Sequence, residues 1–169
     1  IMEIGITGAD GTIGTVLRKG LSGQHEIKSF TLEENQQLGS TKIDLSKSAE
    51  VVGKFSGLDA LIHLAADPSP SAPWESVQPN NIEATYNVFK ECGRAGVSKI
   101  IFASTNHTQH GDTLLTTTET LDPSKNKILS LSDPTNPDSL YAVSKLFGEN
   151  LGKYFSERYK IQFVGLRIG

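Results

Sequence analysis

Tyr141 and Lys145 stand four residues apart in the run YAVSK. On a helix, positions i and i+4 share a face, so a phenol and an ammonium at this spacing can enter one cleft. A nearby cation favours the phenolate and draws a tyrosine pKa down from about 10. A tyrosine so tuned is a general acid/base. Taken alone, the spacing equally describes an amphipathic helix with one aromatic and one solvated lysine. Two further motifs give it weight. Residues 7–14 read TGADGTIG, with Gly8, Gly11 and Gly14. A turn this tight needs residues without Cβ where the backbone meets a pyrophosphate. A helix opening near Thr12 aims its free N–H groups and positive dipole end at the phosphates. Residues 102–108 read FASTNHT. Ser104 and Thr105 would leave a strand where a substrate lies, and a hydroxyl there can hydrogen-bond a reacting oxygen. The plainer alternative is a strand-ending Ser/Thr turn.

The elements that must position these groups alternate. Residues 2–7 read as a strand, and residues 12–21 as a helix after the glycine turn. Strands are expected over 25–30 and 40–43, and a helix over 46–55 with Val51, Val52 and Phe55 on one side. DALIHL, residues 59–64, is a buried strand by its apolar run. Pro68, Pro70 and Pro73 interrupt regular structure. The spacing predicts a long helix over 74–95, with Ile82, Tyr86 and Phe89 facing a sheet. KIIFA (99–103) is a strand, residues 139–159 a second long helix, and 161–168 a last strand. The polar stretch 106–138 reads as a long loop, mobile without substrate. This alternation predicts an α/β fold: a Rossmann-like, doubly wound parallel sheet with helices on both faces. Ligands of such sheets bind at the C-terminal strand ends, where the motifs fall.

Composition narrows the partners. The net charge of −3 comes without a Lys/Arg run, which argues against nucleic acid. No apolar run has the length of a membrane span. The single cysteine, Cys92, makes no internal disulfide, so a reducing, cytoplasmic setting is the reading. On its helix Cys92 reads as a core filler. His107 and His110 lack a carboxylate or cysteine companion at ligand spacing in the sequence, so no metal is expected. Trp74, beside the proline-rich turn, reads as a lid at the site's edge or as packing.

The motifs TGADGTIG, IDLS, HLAA, NNI, FAST, YAVSK and LRIG occur in this order along the chain. In order and spacing they resemble the extended short-chain dehydrogenases/reductases. DPSPSAPWESVQPNNI, FASTNHT and LYAVSKLFGENL look most like the uronate dehydrogenases and the archaeal NAD-dependent glucose-6-phosphate dehydrogenases. Nucleotide-sugar epimerases are similar but more distant. The resemblance implies that Gly8, Gly11 and Gly14 accept the pyrophosphate, with the backbone of Thr12 and Ile13. It implies that Asp44 and Leu45 meet the adenine. Leu64, Ala65 and Ala66 would lie under the ribose and nicotinamide, and Asn81 in the helix behind the site. Lys145 would hold the nicotinamide ribose and tune Tyr141, and Thr105 would bind the reacting oxygen. Ser69, Asn106 and His107 would touch sugar hydroxyls.

What the resemblance then implies is an NAD-dependent oxidoreductase acting on the anomeric carbon of a sugar, uronate or sugar phosphate, giving a lactone. An epimerase or dehydratase with the same triad, or a non-catalytic dinucleotide-binding module, are the alternatives. Two departures stand out. The family usually carries an acid at the end of the second strand for the adenosine ribose. Here Thr31 or Leu32 falls there, with Glu33 or Glu34 in reach only by a register shift. No arginine stands there for a 2′-phosphate, so the reading is NAD with NADP left open. Secondly, the family continues beyond the RIG strand. Residues 1–169 are therefore expected to be one dinucleotide-binding domain cut after its sixth strand, with the C-terminal substrate region absent. The two long helices are expected to pair across a homodimer.

Overall fold

The computed structural model describes residues 1–111 and 129–169. Its centre is built by strands whose apolar runs leave no room for a solvent-facing side, as expected of a parallel sheet covered on both faces. β1 (Glu3–Thr7) and β4 (Ala60–His63) are flanked by β2 (Glu26–Thr31) and β5 (Lys99–Thr105). A two-residue β3 (Thr41–Lys42) and β6 (Gln162–Ile168) form the edges. All neighbours are parallel, in the order β3-β2-β1-β4-β5-β6. This is the expected doubly wound order. Thr7 pairs with His63, and His63 with Phe102, so the chain leaves β1, β4 and β5 on one edge of the sheet. The motifs are gathered there.

Alternation along the strands splits the core. Ile4, Ile6, Ala60 and Ile62 face α1 (Thr12–Leu21), against Leu17 and Leu21. Phe30, Leu61, Ile100 and Phe102 face the opposite layer, against Val88 and Phe89 of α4 (Ala84–Ala95) and Phe155 of α5 (Leu140–Tyr159). Gly148 and Gly152 let α5 lie close on the sheet, since a Cβ at either would stand within 2.3 Å of the Phe102 or Phe163 ring. Ser139 caps α5, accepting a hydrogen bond from Ala142 N. No helix among the described residues is long and apolar enough to cross a membrane.

Three elements differ from the sequence expectation. The helix expected over 46–55 is only one turn, α2 (Ser48–Val51). Gly53 follows it at φ +81°, a left-handed conformation that ends the helix and turns Val52 outward. The helix expected over 74–95 starts as α3 (Trp74–Val77) and reaches α4 through a π-helical turn, Gln78–Glu83. The wider turn shifts the helical phase. Ile82 is only half-buried and Tyr86 exposed, while Asn81, Ala84, Thr85, Val88, Phe89 and Cys92 turn inward. Finally, the described ends of the expected loop are tied together. Asn106–Gln109 forms a 3-10 turn; Asn136 N donates to Thr108 O (2.8 Å), and Gly111 N to Asn136 O (2.6 Å). Residues 112–128, with the threonine cluster at 116–118, lie outside the described residues.

Candidate active site

The first polar feature at the C-terminal sheet edge is the turn between β1 and α1. Gly8 takes φ +66°, and a Cβ there would stand 2.9 Å from Ala65 N. At Gly14 a Cβ would meet Gly8 O at 2.5 Å and Ala9 backbone at 2.8 Å. Neither backbone contact yields cheaply, so these two glycines close the turn against the sheet. Gly11 is different: it is the N-cap of α1, and a Cβ there would meet only Gly8 O, at 3.3 Å. Its open side faces a cleft of about 650 Å³ lined by Gly8, Gly11, Thr12, Ile13 and Gly14. No side chain caps α1 and no acidic residue stands in its first turn, which leaves a cradle for an anion. A pyrophosphate fits it. Gly11→Val therefore keeps the fold, because the added methyls enter the cleft. We expect unchanged circular dichroism and at least about tenfold weaker NAD binding by calorimetry, the cost of losing roughly one charge-assisted contact. Unchanged affinity would remove the phosphate-cradle reading.

Leu64, Ala65 and Ala66 line the cleft where β4 ends. A buried network beneath it was not read from the sequence. Thr7 Oγ1 accepts from Leu64 N (3.2 Å) and Ala65 N (3.4 Å). Its own proton therefore goes to His63 Nδ1, 2.7 Å away, and His63 Nε2–H donates to Thr85 Oγ1 at 3.1 Å. Burial pushes the His63 pKa down to about 3, so the ring is neutral and serves as a strut.

The chemical groups stand at the other end. Tyr141 lies in the first turn of α5, with Lys145 one turn on; both line the cleft with Ser104. Lys145 is 4 % exposed, with Nζ 5.0 Å from the Phe102 ring centre and 5.6 Å from that of Tyr141. Burial lowers its pKa to about 8. The expected lowering of the Tyr141 pKa by Lys145 is not what the structure shows. Burial raises the phenol, and only the Thr105 hydroxyl works the other way. The ammonium lies over the face of the ring, and burial sets the direction of the shift.

Both β5 hydroxyls are strand residues, not a turn beyond the strand. Thr105 is buried just outside the cleft lining; its hydroxyl donates to Asn106 Oδ1 (3.4 Å) and accepts from His107 N (3.2 Å). Ser104 donates to Glu149 (2.6 Å), which also holds Arg167 through two hydrogen bonds of 2.9 and 2.8 Å. That network ties β5, α5 and β6 together and leaves Thr105 as the hydroxyl beside the phenol. Sequence reasoning missed it, because Glu149 in LYAVSKLFGENL and Arg167 in LRIG lie 18 residues apart and nothing in their spacing pairs them.

The remaining candidates fall in four places. Asp44 and Leu45 line the cleft, but the Asp44 carboxylate takes Ser46 N (3.0 Å) and Ser46 Oγ (2.6 Å), and pairs with Lys47. Those contacts hold it below the usual carboxylate range, the Ser46 hydroxyl foremost. Asn81 does not line the cleft, whereas Asn80 does. Turned inward by the π turn, Asn81 accepts from Asp67 N (2.8 Å) and donates to Ser144 Oγ (3.0 Å), joining the proline-rich loop to α5. Ser69 is exposed on that loop, and Trp74 is half exposed at its end. Asn106 and His107 follow Thr105 in the 3-10 turn, outside the cleft lining. His107 does gain a carboxylate companion, from a distance in sequence that spacing could not reveal. Its Nδ1 lies 2.6 Å from Asp138, and its ring stands edge-on to Tyr141 at 6.2 Å. Donor atoms of His107, His110 and Asp138 lie within 4.8 Å of one another, but Asp138 is engaged by His107 and Ser139. Cys92 is fully buried, with burial raising its thiol far above the ordinary range.

These features can be set beside known proteins. The chain is 39 % identical to L-arabinose 1-dehydrogenase (NAD(P)(+)) of Haloferax volcanii, over 99 % of this chain and 66 % of that protein. It is 33 % identical to the NAD-dependent glucose-6-phosphate dehydrogenase of the same organism, over 97 % and 66 %. A mutant uronate dehydrogenase from Agrobacterium tumefaciens, solved in complex with NAD, superposes with a TM-score of 0.80 at 28 % identity, over 96 % of this chain and 58 % of that one. The chain thus spans about two thirds of these curated relatives' length. The family model for NAD dependent epimerases/dehydratases matches residues 4–169, and with the glycine cradle, the sheet order and the Thr105–Tyr141–Lys145 group already in place, the chain belongs to that family.

Proposed function

We propose that this chain is the cofactor-binding and catalytic part of an NAD-dependent dehydrogenase that oxidises the anomeric carbon of a sugar, uronate or sugar phosphate to a lactone. The observation that carries the reading is Tyr141 in one cleft with the glycine cradle, one helical turn from a buried Lys145. A pure dinucleotide binder has no use for that phenol. The relatives named for L-arabinose, glucose 6-phosphate and uronate support the substrate class.

In this reading Gly11, Thr12 and Ile13 would hold the cofactor's pyrophosphate, and Ala65, Tyr141 and Lys145 would border its nicotinamide. When bound, the nicotinamide supplies the acceptor for the hydride that leaves C1. Tyr141 Oη takes the proton of the C1 hydroxyl, so the substrate loses one hydride and one proton and its ring becomes a lactone. Thr105 orients the oxygen, and the Lys145 ammonium would hold the cofactor's ribose. Asn106, His107 and Ser69, near the mouth, are the proposed contacts to sugar hydroxyls. We further read the protein as cytoplasmic, free of nucleic acid and membrane. Its long helices α4 and α5 expose Tyr86, Leu140, Val143 and Tyr154, a face suited to a second copy.

The test is a panel of aldoses, uronates, sugar phosphates and nucleotide sugars with NAD, following reduced cofactor and sugar products, on this chain and on one extended to its relatives' length. Stoichiometric reduced cofactor with one of these sugars is the expected result. An interconversion of nucleotide sugars with none would move the assignment to the epimerases.

A further inference from the structure

The end of β2 is where a dinucleotide fold normally places the carboxylate that reads the adenosine ribose 2′-hydroxyl. Here it is apolar or hydroxylic: Thr31 and Leu32 line the cleft. The Thr31 hydroxyl is already taken, donating to Glu33 O (2.6 Å) and meeting Ser40 Oγ (2.7 Å). Glu33 points away from the cleft to Lys42, 2.9 Å off, on a largely exposed surface. The Asp44 carboxylate is held by Ser46 and Lys47. The family's usual acid is therefore missing, and its nearest sequence substitutes are engaged elsewhere.

Asp10 fills the gap from another element. It sits in the middle of the glycine turn and lines the same cleft. Ala9 N donates to Phe30 O (3.3 Å), which lays that turn across the end of β2, next to Thr31. Asp10 is exposed, and its carboxylate has no hydrogen-bond or ion-pair partner among the described residues. Three cations stand around this turn: Arg18 donates its Nε–H to Ala9 O (2.8 Å), Lys42 pairs with Glu33, and Lys47 with Asp44 and Glu50. Resting on the proposed dinucleotide cleft, we infer that Asp10 replaces the β2 carboxylate: it accepts the ribose 2′-hydroxyl hydrogen bond and repels a 2′-phosphate, making the cleft selective for NAD over NADP.

The experiment is calorimetric titration of the chain with NAD and with NADP, for the parent, Asp10→Asn, Asp10→Ser and Glu33→Gln, with matched thermal melts. One charge-assisted hydrogen bond and one like-charge contact set the scale at about 10–100-fold. The parent binds NAD tighter than NADP by that ratio. Asp10→Asn and Asp10→Ser weaken NAD several-fold, tighten NADP, and bring the two within about threefold, while Glu33→Gln keeps the parent ratio. Equal parent affinities, an unchanged ratio in both Asp10 variants, or a ratio collapsed by Glu33→Gln would each overturn the inference while the dinucleotide cleft stands. Failure of every variant and the parent to bind either dinucleotide would instead overturn the cleft reading, and this inference with it.

Discussion

Tyr141→Phe is expected to lower turnover of the sugar oxidation by about 10²–10⁴-fold, the usual worth of a positioned acid/base. The change removes one oxygen and almost no volume. Tyr141 is half-buried at the start of α5, and the helix is capped by Ser139 rather than by the phenol. The melting temperature should therefore stay within a few degrees of the parent. Affinity for NAD should also stay close to the parent's, because the glycine cradle and Lys145 are untouched. Burial holds the parent phenol above the ordinary tyrosine value in the free chain. A base so placed gains activity as pH rises, so the parent rate climbs through alkaline pH and the variant's residual rate does not follow it. Steady-state kinetics across pH, with calorimetry for NAD, checks both halves. A variant that turns over at the parent rate would remove Tyr141 from the chemistry.

The second large effect runs in opposite directions for stability and function. Lys145 is buried and its pKa falls from 10.5 to about 8 on folding. Below about pH 8 the folded state therefore carries a desolvated charge, at a cost on the order of 3 kcal/mol. Between the folded and unfolded values, unfolding takes up a proton, so the lysine's drag on stability fades as pH rises. Lys145→Met keeps the stem's volume and removes the charge. Some of the gain is offset by the lost cation–π contacts with Phe102 and Tyr141. The variant should melt several degrees above the parent at pH 7, with the gap closing toward about pH 10. Its NAD affinity and turnover should fall together. A lower melting temperature at pH 7 would show that the ammonium is a net stabiliser, against the burial argument.

The fold was largely legible because its signals are local. Buried parallel strands read as apolar runs such as ALIH and KIIF, and Gly8 and Gly14 mark a turn that lets β1 feed a helix closely. The i, i+4 spacing of Tyr141 and Lys145 placed both on one cleft. What escaped the sequence depended on geometry that no window contains. One π turn moved the buried face from Ile82 and Tyr86 to Asn81 and Thr85, and a pattern scored at 3.6 residues per turn cannot register that slip. Gly53 shortened a helix that its apolar spacing favoured. Asp138 reaches His107 across 31 residues, and Glu149 reaches Ser104 across 45. The sign of the Tyr141 shift was missed for a related reason: spacing gives proximity to a cation, whereas burial is a property of the packed whole.

The central claim is that the hydride leaves the sugar's anomeric carbon with Tyr141 handling the hydroxyl proton. The measurement that meets it most directly is oxidation of an aldose, uronate or sugar phosphate deuterated at C1, with NAD, by the chain extended to its relatives' length, followed by mass spectrometry of cofactor and sugar. The account predicts one deuterium transferred to the reduced nicotinamide, a lactone without label, and loss of both signals in Tyr141→Phe. Deuterium retained at C1 of the product, or reduced cofactor that stays unlabelled, would contradict it.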